Sequence, residues 1–128
     1  MPTIYSVVDN QPARNATLQI HEFEVEANGD GSVDSVNTDS IHGWVALMEV
    51  VPDLTDPPAA LFDITLKTSN GIDILGGQGE QLSNSVPAQF IPQVGEGIGT
   101  RPVHGVLTFA CSNIGASKKF KIIMTVEK

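Results

Sequence analysis

The alternation from Phe62 to Lys67, closed shortly afterwards by Asn70-Gly71, constrains the fold of this chain more than any other feature. Phe62, Ile64 and Leu66 fall on one face, and Asp63, Thr65 and Lys67 on the other. That period of two belongs to a half-buried strand. Asn-Gly suits a tight turn, because both residues tolerate the left-handed backbone that such turns use. Ile72 to Leu75 then predicts a second short strand, and Gly76-Gly77 a hinge.

The rest of the chain has the same grain. Thr3 to Val8 predicts a short strand, and residues 1–15 an extended N-terminal arm that folds back or reaches out. Thr17 to Ala27 predicts a strand whose apolar phase changes between Leu18/Ile20 and Phe23/Val25, so a β-bulge near His21 or Glu22 is needed to turn both pairs inward. His42 to Val51 is apolar on both faces, with Trp44, Ala46, Met48 and Val50 on one side and Val45, Leu47 and Val51 on the other. A strand of this kind is expected to lie between two layers or beneath another subunit. Val103 to Ser112 and Lys119 to Glu127 predict a closing hairpin. No segment sustains apolar residues at helical spacing over about three turns, so the expected fold is all-β, an antiparallel β-sandwich (jelly-roll or immunoglobulin-like) of about eight strands in one domain spanning residues 1–128.

One segment resists this pattern. Residues 76–101 hold six glycines and two prolines with Val86, Phe90, Ile91, Val94 and Ile98 scattered among them. A long loop studded with apolar residues needs something to pack against. These five residues are therefore the candidate subunit interface.

Charge and composition remove several function classes. The net charge of −8 opposes phosphate binding, so no nucleic-acid partner is expected. No apolar run approaches the roughly 20 residues of a membrane span. Met1 to Gln11 lacks the basic and apolar regions of a secretory signal, which points to folding in cytoplasm. Cys111 is the sole cysteine and reads as a small buried hydrophobe with no activating neighbour. Lys118, Lys119, Lys121 and Lys128 read as a charged solvent face or a protected strand edge, with docking onto an acidic partner as the alternative.

The order His42-Gly-Trp44, a strand ending at Pro52, a Pro-containing loop, Phe62-Asp-Ile-Thr-Leu66, Asn70-Gly-Ile-Asp-Ile-Leu-Gly-Gly77 and Arg101-Pro-Val-His-Gly-Val-Leu-Thr-Phe109 resembles a group of small tailed-bacteriophage virion proteins. The resemblance runs from near Ile41 to the C-terminus, about two-thirds of the chain. It implies a structural subunit of the head or head-tail region, such as a capsid decoration (cement) protein that binds the major capsid protein or other virion proteins. It implies no cofactor and no catalytic residues.

Chemical motifs are sparse. Glu26, Asn28, Asp30 and Asp34 occupy oxygen-donor positions of a calcium loop, with Gly31 at its turn, but Glu replaces the first Asp and Asn37 replaces the closing Glu. An acidic hairpin loop is the favoured reading, with no metal expected. His21, His42 and His104 lack any short ligand spacing and read as structural. Gly76-Gly-Gln-Gly79 lacks the lysine and the helix of a phosphate loop. The chain is thus read as a non-enzymatic virion subunit, assembled in the host cytoplasm and associating with its own copies, a trimer being the expected state. The alternative is a neck, tail or fibre module binding another virion protein or a carbohydrate. Its 5% aromatic content offers little surface for stacking a sugar.

Overall fold

In the computed structural model, which describes residues 4–9 and 18–127, eleven strands and no helix form. They are β1 (Ile4–Asp9), β2 (Leu18–Glu26), β3 (Val36–Asn37), β4 (Ile41–Pro52), β5 (Asp63–Lys67), β6 (Ala88–Phe90), β7 (Gln93–Val94), β8 (Gly97–Ile98), β9 (Arg101–Gly105), β10 (Thr108–Ser112) and β11 (Lys119–Glu127). One sheet runs β1-β2-β11-β4-β6, with β9 pairing the first half of β4 beside β6. A second sheet is β3-β10-β5, and β7-β8 is a separate ribbon. All pairings are antiparallel.

The large and small sheets enclose an apolar core, as expected for a β-sandwich. Along β11, Phe120, Ile122, Met124 and Val126 alternate inward and are buried. Ile64, Leu66 and Phe109 face them from the small sheet. Aromatic rings join the two layers: Phe23 lies 5.1 Å from Phe109, and Phe120 lies 6.3 Å from Phe109 and 5.0 Å from Phe62 between centroids.

Several sequence expectations need correction. β2 pairs with β1 and β11 in unbroken register, without the bulge predicted near His21. His21 takes the inward slot instead, while Leu18 stays exposed. Burying an imidazole requires partners. Tyr5 OH lies 2.6 Å from its Nδ1 and Gln19 Oε1 lies 2.7 Å from its Nε2, and Asp39 N–H donates to Tyr5 OH at 3.2 Å. This polar relay ties β1 to β2 and to the segment before β4. Burial raises the Tyr5 pKa above its ordinary value, with the Asp39 N–H partly opposing that shift. Within the predicted N-terminal arm, β1 folds back onto β2, and residues 10–15 lie outside those described.

The bulge lies in β4. Val126 pairs with Val45 and Thr125 with Leu47, so Ala46 is the extra residue. That insertion shifts the phase of β4, turning Ile41 and Val45 inward before it and Met48 and Val50 after it. Trp44 consequently faces out at 49% exposure, instead of being sealed inside the strand.

Val103 to Ser112 is not one strand, and it forms no hairpin with β11. Gly105 takes φ +128°, and the chain leaves the large sheet there to enter the small one as β10. Leu107 is buried at the crossing, where its N–H meets Thr38 Oγ1 at 3.0 Å and its carbonyl accepts from Thr38 N–H at 2.8 Å. Residues 113–118 then cross back, with positive φ at Asn113, Gly115 and Ser117. The turn residues were visible in the sequence, but they build an arch across the roughly 10 Å between layers rather than a tight hairpin.

Candidate interaction surface

The predicted loop 76–101 is largely structured. Gly71, with φ +83°, closes the expected Asn70-Gly71 turn. Ile72 to Leu75 then makes a single bridge, Lys67 to Asp73, in place of a strand. The reason is Asp73. Its Oδ1 accepts from Leu66 N at 3.0 Å and Leu75 N at 3.1 Å, and its Oδ2 from Gly77 N at 3.3 Å. This clamp curls the chain and drives Ile74 and Leu75 into the core. Removing a carboxylate that gathers three backbone N–H groups is expected to cost about 2–3 kcal/mol. Asp73→Ala should therefore lower the urea midpoint with an unchanged m-value.

Gly76 and Gly77 both have left-handed backbone, φ +59° and +87°. The Gln93 side chain packs so closely on Gly76 that a Cβ has no room there. The expected hinge is thus a packed anchor. Gln93 N donates to Ile74 O at 2.8 Å, Arg101 Nη1 to Gln93 O at 2.7 Å, and Gln78 Nε2 to Ile91 O at 2.8 Å. β6 adds itself to the large sheet through Phe90 opposite Met48.

On this base stands the β7-β8 ribbon, turned by Gly95-Glu96. Gly95 has φ +59° and Glu96 does not have positive φ, the pattern of a two-residue type II′ turn. The register pairs Gln93 with Ile98 and Val94 with Gly97. Val94 and Ile98 therefore leave opposite faces of the ribbon, 42% and 64% exposed. Val86 and Ile91 are exposed as well, while Phe90 is half-buried against the core. Four of the five sequence-nominated interface residues thus face solvent, and Phe90 holds the segment to the sandwich.

The other nominated residues serve local structure. Asp30 accepts the Ser32 hydroxyl at 2.6 Å and the Ser32 N–H at 3.0 Å, and these bonds hold its pKa below the usual carboxylate value. Asn28 Nδ2 donates to Ser32 Oγ at 3.1 Å, and Glu26 lies on β2 with its carboxylate 3.7 Å from Lys119 Nζ. Asp34 is exposed. Among the described residues, no three His, Cys, Asp or Glu side chains gather as a metal-holding group. Cys111 packs against the core from β10, and burial pushes its thiol up to about 12, so it stays protonated and unreactive near neutral pH.

Lys119 and Lys121 project from β11, which is paired on both sides, so they mark a sheet face and not an edge. They border a cleft of about 520 Å³ with Glu24, Asp53, Ile4 and Leu54. The Thr55 and Asp56 N–H groups hold Asp53 below the usual carboxylate range, the Asp56 bond contributing most. One association escaped the sequence entirely. His42 on β4 and His104 on β9 lie directly opposite one another, with Nδ1 atoms 3.1 Å apart.

Sheets of this order, curled around one core, define a small all-β sandwich. The sequence matches no protein-family model and no curated protein. A chain in the capsid asymmetric unit of cyanophage Pam1 is 13% identical, with 91% of this chain and 89% of that one covered at a TM-score of 0.50. A chain in the acid-stable capsid of Helicobacter pylori bacteriophage KHP30 is 9% identical (98% and 94% covered, TM-score 0.43). A cupin domain from Bordetella pertussis Tohama I is 16% identical (99% and 95% covered, TM-score 0.39). The Pam1 likeness is one of fold. Among the described residues no helix is long and apolar enough to cross a membrane.

Proposed function

We propose that this chain is a non-enzymatic structural subunit of a tailed-phage virion, a capsid decoration protein that binds the major capsid protein and its own copies. The observation that carries this reading is the β7-β8 ribbon, anchored at its base yet apolar and exposed on both faces. A tongue of that kind loses its contact with water on both faces only by inserting between other chains. The resemblance of residues 41–128 to small phage virion proteins supports the same reading, and the fold shared with a capsid chain accommodates it. Three copies meeting at an axis, each contributing its ribbon with Val86 and Ile91, would bury on the order of 1,000 Å² per contact, the scale of a stable assembly.

Recombinant protein added to phage heads lacking it is expected to bind and to raise their resistance to heat. Binding without added resistance would favour a neck or fibre position, and failure to bind would remove the decoration reading.

A second reading, a tail or fibre module holding a carbohydrate, gains from Trp44. The ring lies on the outer face of the large sheet, opposite Pro102, where it could stack on a sugar. Screening against a glycan array tests this, with loss of any signal in Trp44→Ala as the expected control.

A further inference from the structure

The His42–His104 pair has the geometry of a chelating site, and we infer that it binds a divalent transition-metal ion such as Cu²⁺, Ni²⁺ or Zn²⁺. The inference goes beyond the virion reading and does not depend on it. Two imidazole nitrogens bound to one ion at about 2.0–2.1 Å, with an angle between right and tetrahedral, lie about 2.8–3.4 Å apart. The two Nδ1 atoms are 3.1 Å apart, with the rings inclined at 76° and their centroids 4.5 Å apart. The nitrogens are thus already at the bite of a single ion.

Three further features suit the site to this role. Both residues sit on adjacent, paired strands, so the backbone ladder fixes their separation. Both side chains are exposed, which leaves the remaining coordination positions open to water. Ser40 Oγ lies 3.2 Å from His42 Nε2. With a metal ion on Nδ1 the ring hydrogen sits on Nε2, where Ser40 Oγ is placed to accept it, as the outer partner of a ligating histidine commonly does. In the metal-free pair one Nδ1–H donates to the other Nδ1. On metal binding the donating ring moves that proton to its Nε2 through solvent, and both Nδ1 atoms become ligands. Imidazole donors favour copper, nickel and zinc over calcium or magnesium.

Trp44, the only tryptophan of the sequence, reports on the site. It stands two residues from His42 on the same strand face, roughly 7 Å along β4. Titration of tag-free protein with CuCl₂ is expected to quench its fluorescence to saturation at one equivalent, and ZnCl₂ to reverse the quenching by competition. The electron paramagnetic resonance spectrum of the one-to-one Cu²⁺ complex should show two equatorial imidazole nitrogens. His42→Gln and His104→Gln should each weaken binding at least tenfold and leave one nitrogen, and Ser40→Ala should weaken it about tenfold. Unchanged melting temperatures would show that these surface variants remain folded. Equal affinity in wild type and both glutamine variants, or a single nitrogen in the wild-type spectrum, would overturn the assignment.

Discussion

Phe109→Ala is expected to destabilise the protein by about 4 kcal/mol, the largest effect of any single substitution considered, and to lower its melting temperature by about 15 °C. Phe109 is 1% exposed and lies on β10, the middle strand of the small sheet. Its ring meets Phe23 and Phe120, which belong to the large sheet. Truncation removes two of the ring contacts that join the layers and leaves a cavity that strands fixed by two neighbours cannot collapse to fill. Lost ring pairing adds to the cost. Typical domains have only about 5–15 kcal/mol of stability in total, so the variant stands near unfolding. Phe109→Leu, which keeps most of the volume, should cost about 1.5 kcal/mol and stay folded. Urea unfolding of both variants measures this. A loss below about 1 kcal/mol in the alanine variant would show that the ring does not bridge the sheets.

The double substitution Val94→Asp/Ile98→Asp should leave stability within about 0.5 kcal/mol of wild type, because both side chains are exposed in the isolated chain. Its effect falls on association. Burying these two side chains contributes about 3 kcal/mol to a contact, and the variant would also have to desolvate two carboxylates there. Affinity for copies of the chain or for capsid should fall at least about a hundredfold. Sedimentation velocity across micromolar concentrations, with head binding measured alongside, reads this directly. Unaltered association in the double variant would place the interface elsewhere on the molecule.

The strands were legible because their side chains alternate, and β5 and β11 match their sequence patterns closely. Pairing was less so. The β4 bulge at Ala46 leaves no mark in a strand that is apolar on both faces, so the pattern does not reveal that Val45 faces the core while Trp44 faces out. The β10-β11 arch shares its turn chemistry with a hairpin, and only the separation of the layers tells them apart. Three short strands hid in residues 76–101, since two- and three-residue strands are too brief to show a period. Their anchors, Asp73 to Gly77 N and Arg101 to Gln93 O, are single side-chain bonds without a motif. The exposed apolar residues of that segment were nonetheless readable, because no local pattern gave them a core. His42 and His104 were not, for they stand 62 residues apart and only the β4-β9 register joins them.

The central claim is that the β7-β8 ribbon is the part of this chain that enters its neighbours. Electron cryomicroscopy of an intact particle carrying the chain tests it most directly. The sandwich should appear on the head surface with the Gly95-Glu96 tip, Val94 and Ile98 inserted between adjacent subunits. Density in which the ribbon points into solvent, with the contacts made by another face, would contradict it.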